Sequence, residues 1–88
     1  MTVEFFGMAR VFAGASGLDI GGERLTKREL VRELAQRCPA MLGSVIDAGG
    51  ESFVHPNLLL LDGRRATGDD EPFDASDRPC VLFLVSGG

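Results

Sequence analysis

The sequence predicts an α+β domain in which one main helix covers one face of a mixed sheet of about five strands. Three stretches carry that prediction: "TVEFF" near the start, "TKRELVRELAQRCP" in the first half and "PCVLFLV" near the end. The first alternates apolar and exposed positions at the period of a strand. The second repeats its apolar residues at the period of a helix. The third is a continuous apolar run, as in a strand at the centre of a sheet.

In "TVEFF", Val3 and Phe5 share one face and Thr2, Glu4 and Phe6 the other, so strand one spans 2–6. The following "GMARVFAGASG" has room for a turn of helix carrying Phe12, and "LDIGG" is a short strand with Leu18 and Ile20 on one face, ended by Gly21 and Gly22. Thr26 stands three residues before Glu29, the spacing of a capping box, with Leu25 and Leu30 placed as a hydrophobic staple. The helix that starts there carries Leu30, Val31, Leu34, Ala35 and Cys38 as its apolar stripe, and Pro39 stops it. From Ala40 to Asn57 the pattern is read mostly as loop. "LLLLDG" reads as a buried strand reaching a hairpin at Asp62-Gly63, with a short partner at 64–67. "GDDEPFDASDRP" is acidic and turn-rich around Phe73, and the last strand spans 80–85. Both the first and last strands are apolar enough to be central. Placed side by side, they send the end of the chain out at one edge of the sheet.

At 88 residues the chain is expected to be a single domain spanning 1–88, with 86–88 as an exposed tail. Its 44% apolar and 25% charged composition belongs to a folded globular protein despite 12 glycines. A formal net charge of -4 and a pI near 4.8 speak against a nucleic-acid binder, which would need a clustered basic face, and favour a partner with a basic surface. No apolar segment approaches spanning length and no secretory pattern opens the chain, so no membrane association is expected and the location is read as cytoplasmic. Cys38 and Cys80 are too few and too far apart for a disulfide framework or a metal motif. They are expected as buried, reduced thiols.

Catalytic and metal patterns are missing from the sequence. His55 is the only histidine, which leaves a triad or a histidine-pair metal site without its parts. Asp69, Asp70, Glu71, Asp74 and Asp77 lack the register of a calcium loop and read as a solvated acidic surface. "DIGGERLTKRE" has glycines without the arrangement of a phosphate loop. The expectation is a protein without a catalytic centre, without bound metal or cofactor, and with one unusual feature, the terminal "SGG".

A carboxylate is a poor electrophile, but ATP converts a terminal one to an acyl adenylate from which AMP leaves when sulfur or nitrogen attacks. Glycine suits a terminus that must thread a narrow enzyme channel, because it has no Cβ to clash. On the residues alone, Gly87 and Gly88 fit that role and fit equally a frayed end, a truncation or an added scar.

The stretch "VEFFGMARVFAGASGLD", with Phe5, Phe6, Gly7, Arg10 and Gly14, resembles the start of the small subunit of molybdopterin synthase, the MoaD family. The helix and the proline after it, "LLLLDGRR", and the ending "VSGG" are similar to the same family along essentially the whole chain. The turn "FDASDRP", the Leu84-Val85 pair before Ser86 and the stretch "DAGGESFVHPN" depart from its usual pattern.

The resemblance implies the β-grasp, ubiquitin-like fold with a flexible diglycine tail. It also implies sulfur carriage: a MoeB/ThiF-type adenylating enzyme uses ATP to join the Gly88 carboxylate to AMP, and a sulfurtransferase supplies persulfide sulfur. The Gly88 thiocarboxylate then donates sulfur to a cofactor precursor on a MoaE-type large synthase subunit. Ser86 and Gly87 would thread the partner's channel, with Arg10 among the contacts. Strand alternation itself turns Phe6 in strand one and Leu82 in the last strand away from the face that a single helix covers, so the two are expected as an apolar docking patch, the alternative being that "ARVFAG" folds back over Phe6. The acidic stretch from Asp69 to Asp77 is expected to steer approach to a basic partner surface. A thiamin-type (ThiS) carrier, or one for cysteine or a specialised metabolite, is the second pathway. A protein modifier forming isopeptides through Gly88, and a noncovalent interaction module, are readings of other classes. The single lysine, Lys27, disfavours chains built on the protein itself.

Overall fold

In the computed structural model, the described residues are 1–63, 65–66 and 68–83. Strand β1 (Thr2–Phe5) buries Val3 and Phe5 and leaves Thr2 and Glu4 exposed, as the alternation requires. It ends one residue earlier than expected, although Phe6 N–H still donates to Val81 O at 3.0 Å. Gly7, with φ 61° and ψ −132°, turns the chain into helix α1 (Met8–Ala13), a conformation only glycine adopts without strain. Ala9 is buried, Phe12 and Ala13 pack against the core, and the turn of helix expected around Phe12 is therefore a short complete helix.

Strand β2 (Gly17–Asp19) returns antiparallel to β1, pairing Val3 with Leu18, and leads into the fully buried Ile20. A short strand β3 (Arg24–Thr26), which the periodicity does not reveal, precedes helix α2 (Lys27–Arg37). The predicted capping box is present: Thr26 Oγ1 accepts from Glu29 N–H at 3.2 Å, and Glu29 Oε1 accepts from Thr26 N–H at 2.9 Å. Leu30, Val31 and Leu34 are buried, while Ala35 and Cys38 lie half-buried at the margin of the stripe. Cys38 closes the helix before Pro39, which starts a 3₁₀ turn (Pro39–Met41).

The segment after that turn is more ordered than a loop. Met41, Val45 and Ile46 are fully buried, and Ile46 bridges to Leu42 and Phe53. These apolar residues reach the core through turns, with neither helical nor strand spacing, which is why periodicity overlooks them. Strand β4 (Asn57–Leu61) buries Asn57, Leu59 and Leu61 on one face. Asp62 and Gly63, at φ 57° and 67°, form the predicted tight turn to β5 (Arg65–Ala66). The ends of the expected partner strand, Arg64 and Thr67, lie outside the described residues.

Strand β6 (Pro72–Asp74) pairs with β3 and sets Leu25 opposite the buried Phe73. The stretch expected as turn thus forms a second, two-stranded sheet. A 3₁₀ turn (Ala75–Asp77) follows, held by a capping box in which Asp74 accepts from Ser76 N–H and Asp77 accepts from Asp74 N–H, each at 2.9 Å. The Ser76 hydroxyl and amide hold the Asp74 carboxyl below its ordinary value. Strand β7 (Cys80–Phe83) is the last, and the expected continuation through Leu84 and Val85 lies outside the described residues.

The main sheet has the order β2-β1-β7-β4-β5, with β1 parallel to β7 and every other pair antiparallel. The first and last strands are therefore adjacent and central, as their apolar content predicts. Their core faces (Val3, Phe5, Val81) meet α2 (Leu30, Val31, Leu34) in one buried cluster.

Phe73→Ala is expected to cost about 3–5 kcal/mol in urea denaturation, the usual loss for a fully buried phenylalanine. The capping contribution of Asp74 has its own pH signature. A carboxyl whose folded pKa is depressed stabilises fully above its unfolded pKa and loses that effect as pH falls through the folded value. The stability gap between wild type and Asp74→Ala should hold from neutrality down to the ordinary carboxylate range and shrink below it, as read by urea midpoints across pH.

Candidate functional site

Because β1 and β7 run parallel in the register Glu4 with Cys80 and Phe5 with Val81, both strands finish at the same edge of the sheet. Continuing that register by one residue sets Phe6 beside Leu82. Alternation then turns Phe6, Leu82, Cys80 and Glu4 to the face opposite α2. Phe6 is 48% exposed. That exposure agrees with the open position that strand alternation gives it. Leu82 is half-buried and pairs across β4 with Leu58, while Cys80 pairs with Leu60. Burial, with Glu4 adding to it, pushes the Cys80 thiol up.

Arg10 is exposed on α1, which packs against β7 at the same end of the molecule. Its neighbours supply what the sequence reading omitted. Met8 is 43% exposed and Val11 69% exposed, and they lie three positions apart on one side of α1. The signal was available: Ala9, Phe12 and Ala13 at i, i+3 and i+4 form the core stripe of α1, which leaves Met8 and Val11 off it. With Phe6, they are three large apolar residues left exposed at the end of β1 and on the helix that follows it. The strand register therefore sets Phe6 beside Leu82, and α1, which carries Arg10, packs against the same strand. Ser86, Gly87 and Gly88 lie outside the described residues, as do Leu84 and Val85.

The acidic stretch is tied down more than a solvated surface would be. Asp69 pairs with Lys27 at 3.1 Å and with Arg28 at 3.7 Å, and Asp70 with Arg28 at 3.3 Å, so part of the expected steering charge is neutralised by α2. Asp74 and Asp77 serve the 3₁₀ turn. His55 is exposed beside a cis Pro56, at a cleft of about 270 Å³ between the first turn of α2 and the start of β4. Asn57 lines the same cleft. Its Nδ2 donates to Val54 O at 2.9 Å and Ser44 O at 3.3 Å, and its buried Oδ1 has no partner among the described residues. Among the described residues no three His, Cys, Asp or Glu side chains gather as metal ligands, and no helix is long and apolar enough to cross a membrane.

Comparison with protein-family profiles and with curated proteins gives no match. Two solved structures are similar. A crystal structure of small archaeal modifier protein 1 from Haloferax volcanii superposes with a TM-score of 0.71 at 26% identity, covering 99% of this chain and 97% of that one. A second crystal structure of H. volcanii small archaeal modifier protein 1 gives 0.70 at 23%, covering 96% and 95%. The chain has the ubiquitin-like β-grasp fold.

Since Phe6 contributes little to the core, Phe6→Ala should shift the urea-derived stability by less than about 0.5 kcal/mol, the range of surface substitutions.

Proposed function

We propose that this chain is a ubiquitin-like carrier whose Gly88 carboxylate is activated by a partner adenylating enzyme and converted to a thiocarboxylate. The observation that carries this reading is the central β7, parallel to β1, which ends beside the exposed Phe6 and is followed in sequence by "LVSGG". In this scheme the MoeB/ThiF-type enzyme forms the Gly88 acyl adenylate and releases pyrophosphate. A persulfide sulfur on the sulfurtransferase attacks the carbonyl carbon and AMP leaves. A second thiol then cleaves the resulting sulfur–sulfur bond, which frees the thiocarboxylate. The chain itself supplies the reacting terminus and the surface that presents it: Phe6 and Leu82 as apolar contacts, Arg10 as the charged one, and Ser86 and Gly87 as the thread.

Within that class, the resemblance of "VEFFGMARVFAGASGLD" favours the small subunit of molybdopterin synthase, working with a MoaE-type large subunit in molybdenum cofactor biosynthesis. Protein modification through Gly88 is the second reading, and the similarity to small archaeal modifier protein 1 over nearly the whole chain favours it. Denaturing blots of a tagged chain separate the two. Covalent ladders that survive reductant support the modifier, and their absence supports the carrier.

With a matched adenylating enzyme, ATP and a sulfur donor, intact-mass measurement should show one oxygen-to-sulfur exchange at Gly88. Removing Gly88 should abolish the exchange while the far-UV spectrum and cooperative melt stay unchanged. Persistence of the exchange without Gly88 would refute the assignment. Phe6→Ala should weaken binding to the activating enzyme by about 1–4 kcal/mol in titration calorimetry, as expected for an aromatic interface anchor.

A further inference from the structure

A protein with an activated C-terminal carbonyl faces a chemical hazard from its own nucleophiles. An amine or thiolate on a second copy, or on the same copy, competes with the intended acceptor. Amines attack only when unprotonated, and thiols chiefly as thiolates. The chain's nucleophiles therefore decide whether an activated carrier remains a monomer.

Lys27 is the only lysine in the sequence, and the eight arginines keep a protonated guanidinium that does not compete as a nucleophile, while the one imidazole, His55, forms at most an acyl-imidazole that water cleaves to the acid, leaving no lasting link. Lys27 Nζ is 3.1 Å from Asp69 Oδ1, and its side chain is only 27% exposed. Asp69 is itself anchored to the helix, because its carbonyl accepts from Arg28 N–H at 3.2 Å and its carboxylate faces the Arg28 guanidinium. The amine at Met1 is held in the same way, donating to Ile20 O at 3.1 Å and to Asp19 Oδ1 at 3.3 Å. Ile20 N–H donates back to Met1 O at 2.7 Å, which pins the residue on both sides. The thiols complete the set. Cys80 is buried within the central strand, Cys38 is half-buried where α2 ends, and burial pushes both thiols up.

We propose that this arrangement is a self-protection device: the Lys27 and Met1 amines are masked by Asp69 and Asp19, and both thiols by packing, so that an activated Gly88 reacts with other molecules and not with the chain. The inference rests on activation at Gly88, which the carrier and modifier readings share. In the avoided reaction a neutral amine attacks the Gly88 carbonyl carbon, an amide bond forms, and the leaving group departs with the proton that the nitrogen loses.

The test needs no partner enzyme. The full chain is released from an intein fusion as a Gly88 thioester, incubated at neutral pH, and followed by intact mass and denaturing gels. Wild type should hydrolyse to the acid, or be captured by added cysteamine, without self-linked dimers or cyclised chain. Arg32→Lys places an amine on the exposed side of α2 and should give self-linked species. Asp69→Asn should raise adduct formation at Lys27 about two- to fivefold, the weight of one exposed ion pair. Wild-type adducts at Lys27, Met1 or either cysteine at the rate of Arg32→Lys would overturn the proposal. So would an inert Arg32→Lys variant, or an Asp69→Asn variant no faster than wild type. Because the thioester is made chemically, failure of enzymatic activation at Gly88 would be seen separately in the sulfur-exchange experiment.

Discussion

The parallel pairing of β1 with β7 is the constraint on which the rest of the structure depends. Parallel neighbours cannot be joined by a tight turn and need a long crossover. Here the crossover is nearly the entire chain between Phe5 and Cys80, including α2 and β4. The pair is closed by hydrogen bonds from Glu4 N–H to Pro79 O at 3.1 Å and from Phe6 N–H to Val81 O at 3.0 Å. With these two strands in the middle, β2 and β5 take the edges, and α2 lies across the face where Val3, Phe5 and Val81 stand. Burial of each such side chain contributes about 1.5–3 kcal/mol, so the central pair anchors the core as well as the topology.

That geometry also sorts the chemistry. One helix covers one face, so every second residue of the central strands is left to the other side, and the residue that leaves β1 there is Phe6. The strand ends coincide, which places α1, with Arg10, Met8 and Val11, at the edge where β7 finishes. The acidic loop takes part in none of this. Its first two aspartates clamp the start of α2, and its last two hold the 3₁₀ turn that aims the chain into β7.

The parts of the fold visible in the sequence are those where a local pattern and the tertiary environment agree. The capping box at Thr26 and Glu29, the stripe of Leu30, Val31 and Leu34, the Asp62-Gly63 turn and the two-residue alternation of Val3 and Phe5 each carry their own geometry. The hidden parts depend on distant partners. Phe73 becomes core only because β6 meets β3 across a gap in the chain of nearly fifty residues. Met41, Val45 and Ile46 are buried by turns whose spacing matches neither regular period. Of the candidate surface, Phe6 and Leu82 follow from strand alternation and Arg10 from a resemblance. Met8 and Val11 required α1 to be recognised as a helix in its own right.

The β1–β7 pair also has a mechanical consequence. Thr2 opens β1 at one end of the pair, and Phe83 closes β7 at the other. A pull that draws the two ends of the chain apart therefore acts along the strands, and the central hydrogen bonds share the load in shear instead of opening one at a time. Traction of this kind meets the strongest part of the sheet first. A molecular motor that grips the chain beyond Phe83 would have to rupture the central ladder, and the packing of Phe5 and Val81 beneath it, before any edge strand could peel away.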